Sequence, residues 1–173
     1  MAGFGYNKKS EKKIIKDAKT DKLKAEIVSK AFLLHSQGNI LEAVKYYRYC
    51  IEQKINDYRI FSNYGLILKN QGKLREAELL LKKTIHLNPK WSVGHNNIGT
   101  IQKDLGKLEE AEISFLKAIK LKPDYIDAYY NLGSIVSNLG KSREVRLYSE
   151  KIMSIRSWSI LGSYVSNREM KLD

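Results

Sequence analysis

Asparagine stands at positions 63, 97 and 131, each 34 residues from the next. An amide side chain carries both a donor and an acceptor. A row of amides at a fixed interval therefore has the chemistry to hold a peptide backbone bidentately, whatever the peptide's own side chains. Asparagine is a poor interior helix residue, and nothing in packing asks for it three times. The alternative is that the amides bond the backbone of a neighbouring segment. Lys69 and Lys103 keep the same interval, with Arg59 nearby and Asp104 and Asp127 as counter-charges. Such a row is mildly basic and suits an acidic peptide or a chain-end carboxylate; a solvated helix face is the plainer reading of the lysines.

No other constellation in the chain has the pattern of a catalytic or metal site. His35, His86 and His95 never fall at i, i+4, and no HExxH accompanies them. His95 occupies the slot that Phe61 and Tyr129 fill one interval away, which marks it as a packing residue. Cys50 is the sole cysteine, so neither an internal disulfide nor a multi-cysteine zinc site can form. It shares its slot with Thr84 and Ala118, as a buried inert thiol would. No GxxxxGK[ST] and no strand-led GxGxxG exists to cradle a phosphate. Glu109 and Glu110 open a helical turn and read as solvated surface. The expectation is a protein that is not an enzyme, with no cofactor and no metal.

The interval of 34 extends well beyond these residues. Gly38, Gly72, Gly106 and Gly140 keep it, as do Gly65, Gly99 and Gly133, Ala43, Ala77 and Ala111, and the two prolines, Pro89 and Pro123. Residues 58–91 aligned on 92–125 give 14 identities in 34. The chain is an internal repeat. Each unit holds two helical patterns: Phe61, Tyr64, Gly65 and Leu68 line one helix face, and Leu108, Ala111, Phe115, Ala118 and Ile119 line another. The glycine between them suits a helix C-terminus that needs φ > 0, and the prolines stop the second helix. Asp124 and Ser92 are candidate N-caps. The mid-helix glycines, each costing roughly 1 kcal/mol in propensity, let the paired helices approach, with Ala77 or Ala111 opposite.

This order of residues resembles the tetratricopeptide repeat (TPR) family: large–x–x–large–Gly, a turn Gly, Ala, a large apolar residue, Ala and Pro over 34 residues. The resemblance covers residues 24–159. Units 58–91 and 92–125 match completely. Unit 24–57 has Ala31, Tyr47, Cys50 and Ile55 at variant places, and unit 126–159 drifts after Gly140 to Val145, Ser149, Ile152 and Ser157. The resemblance implies an all-α, right-handed solenoid of stacked antiparallel helix pairs, about four repeats long, with a C-terminal capping helix. The first helix of each unit then lines a concave groove. Its sixth place reads Ser29, Asn63, Asn97, Asn131; its ninth Phe32, Leu66, Thr100, Ser134; its twelfth His35, Lys69, Lys103, Ser137. The Asn row, in the contexts N-I-G and Y-N-L-G, is similar to the asparagine ladder of the O-linked N-acetylglucosamine transferases, in which such amides hold extended peptides. The carboxylate clamps that grip chaperone tails use a fuller Lys, Asn and Arg set; Val93 and Asn97 stand where their last Lys and Arg would fall.

The ends are expected to differ from the repeats, since one face of a terminal repeat meets water. Residues 1–20 form a basic arm, flexible or a frayed helix; residues 1–30 hold nine lysines against four acids. Residues 157–168 suggest a short helix whose Trp158, Leu161 and Val165 cover the last pair, so that 160–173 is capping helix and tail. The formal charge is +12. No apolar run reaches membrane-span length, the amino terminus lacks the pattern of a signal peptide, and a cytoplasmic protein is expected. Enrichment in Lys, Ile and Asn suggests an AT-rich bacterial genome. The leading expectation is a non-catalytic scaffold that binds an extended peptide or partner protein through Asn63, Asn97, Asn131, Lys69, Lys103 and Arg59. The alternative is a freestanding or truncated substrate-recruiting part of a glycosyl-, sulfo- or methyltransferase system, with the transferase encoded nearby. A third reading is weak nucleic-acid binding through the basic arm, against which stand the missing Arg row and the missing stacking aromatics.

Overall fold

The computed structural model describes the backbone of residues 8–138, 140 and 142–169 and the side chains of residues 21–137 and 143–156. Every element among them is helical: α1 Lys8–Ser36, α2 Ile40–Glu52, α3 Tyr58–Asn70, α4 Leu74–Leu87, α5 Ser92–Asp104, α6 Leu108–Leu121, α7 Ile126–Asn138 and α8 Ser142–Glu169. Helices α3, α5 and α7 begin at the repeat boundaries read from the sequence. Helices α2, α4, α6 and α8 begin 34 residues apart throughout. The chain forms two compact units, residues 1–60 and 61–173, with α3 spanning the division.

In the first unit α1 packs on α2. Val28, Ala31 and Leu34 meet Ala43, Tyr47 and Cys50 in a dry interior. Tyr47 stacks at a tilt on Phe32, ring centres 6.1 Å apart, and its hydroxyl lies 2.8 Å from His35 Nδ1. The basic arm is helical from Lys8 onward, continuous with the rest of α1. Where later units have proline, α2 ends differently. Lys54 takes φ +55°, and Ile55 N–H donates back to the Cys50 carbonyl at 2.9 Å. A left-handed non-glycine residue thus does the work of the missing Pro, at some steric cost.

In the second unit each helix packs on its sequence neighbour from α4 to α8, and α5 also touches α7. Phe115 of α6 is fully buried with Ala111, against Leu132, Ile135 and Val136 of α7. In the drifting last unit, Tyr148, beside Ser149, supplies the aromatic that packs on this cluster. Asn88 and Lys122, each before a proline, are extended (φ −139° and −138°), so the second helices stop there. The chain then turns, and Trp91 and Tyr125 carbonyls accept the N–H groups of His95 and Tyr129. Ser92 does not cap: Trp91 is the N-cap of α5 and no side chain bonds there. Asp124 stands two residues before α7. The pre-proline geometry already sets the chain path at these entrances.

Helix α8 runs 28 residues without a break. Ser157 stands where proline follows α4 and α6, so no proline stops it. The short helix expected from residue 157 is its continuation; the side chains of Trp158, Leu161 and Val165 lie outside the described residues.

The mid-helix glycines are not equivalent. A Cβ on Gly99 would come within 2.8–3.0 Å of the Phe115 ring, which is locked in the core; on Gly65 the nearest atom is Leu81 Cγ at 3.3 Å, with the Ala77 carbonyl at 3.4 Å; on Gly133 nothing lies within 4 Å. Close approach therefore explains Gly99 best, through Phe115 rather than Ala111, and does not explain Gly133. Gly99→Ala should lower stability by about 1–3 kcal/mol through overpacking. Gly133→Ala should raise it by up to about 1 kcal/mol through helix propensity. Thermal unfolding of the two variants side by side checks both signs.

Candidate functional site

Helices α3, α5 and α7 carry the asparagine row, and its rungs are connected in a way the interval alone does not show. Asn97 Nδ2 donates to Ser62 Oγ at 3.2 Å, and Asn131 Nδ2 donates to Asn96 Oδ1 at 3.1 Å. Both bonds span 35 residues, one more than the repeat. Each asparagine thus bonds the residue just before its own counterpart on the preceding first helix, and the amides do not bond one another. The partners are side chains, where the sequence suggested backbone.

Ser62 and Asn96 are themselves buried, so these bonds sit on satisfied polar groups and cost no unpaired partner. The Tyr125 hydroxyl, at the α6–α7 junction, feels the Asn96 amide. Burial, with the Asp127 carboxylate behind it, pushes that hydroxyl above its ordinary pKa, and the Asn96 amide pulls it partly back. Asn97 and Asn131 are half-buried, and their carbonyl oxygens accept no hydrogen bond among the described residues. Since no buried side-chain oxygen or nitrogen there is left unpartnered, those oxygens face solvent. Asn63, on α3, also takes part in interactions within the protein.

The lysines separate. Lys69 Nζ lies 3.6 Å from Asp104 Oδ2, with both side chains about one-third exposed, again an offset of 35. Lys103 makes no ion pair among the described residues. Arg59 belongs to the first unit, where its guanidinium clasps Asp57: Nη2 to Oδ2 at 2.6 Å, and Nε to both oxygens at 3.0 and 3.2 Å. Its Cζ lies 4.9 Å over the Phe32 ring. Burial works to raise the Asp57 carboxyl, but the Arg59 bonds and charge outweigh it and hold it below its ordinary value of 3.8. Arg59 is therefore committed within the protein.

The other candidates resolve into structure. His95 is buried, and its Nε2 lies 2.9 Å from the Pro89 carbonyl; Tyr129, in the same slot, donates its hydroxyl to the Pro123 carbonyl at 3.3 Å. Both tie the loop to the helix it enters. Glu110 accepts from Gln102 Nε2 at 3.2 Å, and Gln102 Oε1 accepts from Ser114 at 2.6 Å, a bridge between α5 and α6. The Cys50 thiol is buried, and burial first, then the Asp57 charge, pushes its pKa up. That is the opposite of an activated nucleophile. Among the described residues no cluster of His, Cys, Asp and Glu could hold a metal, and no helix is long and apolar enough to cross a membrane.

An ion pair between a shielded carboxylate and a partly exposed lysine joins successive repeats in the same unit. Lys107, at the start of α6, donates to both Glu78 oxygens of α4 at 2.9 Å, and Lys82 lies 3.0 Å away. The Lys107 bonds, against burial and with help from Lys82, hold the Glu78 carboxyl below its ordinary 4.5.

Comparison with known proteins bears on the fold. A family model described as a TPR repeat matches residues 99–140; it describes a repeat and not a catalytic domain. No curated protein is significantly similar in sequence. A crystal structure of MamA aligns with a TM-score of 0.70 at 21% identity, over 78% of this chain and 73% of that one. A structure from the functional characterization of PilF of Pseudomonas aeruginosa aligns at 0.66 and 19%, over 74% and 59%. The first TPR of Spaghetti (RPAP3), bound to the HSP90 peptide SRMEEVD, aligns at 0.63 and 21%, over 68% and 93%. At these identities the likeness shows the fold: helix pairs of the tetratricopeptide type.

The low Glu78 value has a consequence for acid stability. Because the folded carboxyl titrates below the unfolded one, its contribution is present above the ordinary value of 4.5 and fades as pH falls through the folded value. Glu78→Gln should therefore be less stable than the parent at neutral pH, with the gap closing in acid. Denaturant unfolding of both proteins across that range measures it; a gap that stays constant with pH would remove the ion pair from the account.

Proposed function

We propose that the second unit is a non-catalytic binding module that holds an extended peptide or a segment of a partner protein along α3, α5 and α7. One observation carries this reading. Each of the Asn97 and Asn131 amides has one N–H tied to the preceding first helix, while its oxygen and second N–H remain for a ligand. An amide oriented in advance loses less entropy on binding than one free to rotate. Two rungs held this way suit the alternating N–H and C=O groups of an extended backbone. Asn63 continues the row on α3. Lys103 adds an uncommitted cation at its edge, whereas Lys69 is shared with Asp104, so the preference for acidic ligands rests mainly on Lys103. Arg59 is spent on Asp57 in the first unit and stands outside this reading.

The neighbour bound to the HSP90 peptide supports the general reading that a repeat stack of this kind can take a peptide. The asparagine row also supports a second reading, a substrate-recruiting role beside a transferase, since it is this row that resembles the O-linked N-acetylglucosamine transferases. A transferase gene adjacent to this one would favour that reading; its consistent absence beside relatives would remove it.

The test uses capture from native lysate. The parent protein should retain a partner that the combined Asn63→Ala, Asn97→Ala, Asn131→Ala variant loses. Ser62→Ala serves as the graded comparison: it frees the Asn97 amide from its hold, costs about 1 kcal/mol of stability and keeps all three amides, so capture should weaken without being lost. Capture that survives the triple substitution would reject the first-helix face.

A further inference from the structure

The 34-residue interval organises a second row, on the other set of helices. Leu79 of α4, Ile113 of α6 and Leu147 of α8 occupy one place in three successive second helices, and are 68%, 68% and 54% exposed. Single exposed apolar residues are normal on any surface; three in register make a stripe. One turn before them the flank is mixed, with Arg75, Glu76, Glu109, Glu110, Arg143 and Glu144; four residues after them stand Lys83, Lys117 and Lys151. None of the three lysines makes an ion pair among the described residues. Between α4 and α6 the stripe borders a cleft of about 320 Å³. Lys82 and Ile85 wall it on one side, Ile113 and Lys117 on the other, and the buried His95 and Ile98 of α5 form its floor.

We propose that this stripe docks an amphipathic helix of a partner protein whose apolar face is edged with carboxylates. Charge selects the occupant: one edge of the stripe is a row of three lysines that make no ion pair among the described residues, which favours a helix carrying carboxylates along that edge. The chain's net charge of +12 opposes self-association. The cleft favours a helix over a lipid surface. A docked helix places a side chain between α4 and α6, with its anchors at i, i+3, i+4 and i+7, whereas a bilayer surface lies across such a cleft without filling it. The site uses the second helices and is independent of the asparagine row on the first helices.

A displayed library of randomised peptides about 20 residues long, enough to hold a helix, is selected on the full chain. Enriched sequences should carry apolar residues at helical spacing flanked by Asp and Glu. Their affinity should fall at least about tenfold with Leu79→Ser, Ile113→Ser, Leu147→Ser combined, and likewise with Lys83→Glu, Lys117→Glu, Lys151→Glu combined. It should be unchanged with Asn97→Ala and Asn131→Ala combined. All the exchanged stripe residues are exposed, so the serine variant should melt with the parent. Enriched peptides that ignore the serine variant, or that lack the acidic flank, would overturn the proposal. Binding of anionic vesicles through the same stripe, lost in the serine variant, would overturn it in favour of a membrane surface.

Discussion

Glycines 38, 72, 106 and 140 hold φ between 72° and 76° at the turn inside each helix pair, a conformation that residues with a side chain reach only at a cost. In three of these turns the N–H of the next residue reaches back to a helix carbonyl: Asn39 to Leu34, Lys73 to Leu68 and Lys107 to Gln102, at 2.8–2.9 Å. That closure satisfies the carbonyls that a helix end otherwise leaves orphaned. Because the turn is the same each time, every second helix starts at the same phase of the repeat. A given place in the 34-residue unit then falls on the same face of its helix in successive pairs, even where its neighbours differ, as at the mid-helix glycines. The polar rungs, the apolar row and the core slots all inherit their regularity from this one backbone constraint.

Identity recurs at 34 residues, yet contact recurs at 35. Ser62 with Asn97, Asn96 with Asn131, and Lys69 with Asp104 all show it. Neighbouring first helices are staggered by one residue along the face where they meet. Residues that look like stacked equivalents therefore bond the position before the equivalent. For the lysines the stagger has an electrostatic result: Lys69 meets an aspartate instead of facing Lys103, which relieves the like-charge row that the interval alone suggests.

This stagger also marks what could be read from sequence. The turn glycines, the pre-proline stops and the starts of α3, α5 and α7 were legible because each rests on backbone chemistry local to a few residues. His95 as a packing residue was legible from its slot, though its bond to the Pro89 carbonyl was not. Ser62 and Asn96 went unnoticed because their role comes from the preceding or following repeat and not from their own interval; comparing the sequence with itself at 35 would have found them. The commitment of Arg59 to Asp57 was hidden differently, since a basic residue near a groove looks the same whether or not its charge is spent. The continuity of α8 was foreshadowed by Ser157 in the proline slot, since a helix with no stop signal continues.

The asparagine rows are better described as a network than as separate rungs. Asn96 is buried and accepts from Asn131, so the amide that Asn131 presents to solvent is held by a buried group of the preceding first helix. Buried polar networks are effective when complete and costly when one member is missing. A ligand that bent the Asn131 amide away from Asn96 would break that bond, and would lose in the protein what it gained in contact. The favourable ligand is one that uses the free oxygen and free N–H where they already stand. On the proposed reading an extended backbone does this without asking the protein to move, so the bonds that join neighbouring first helices also orient the amides offered to it.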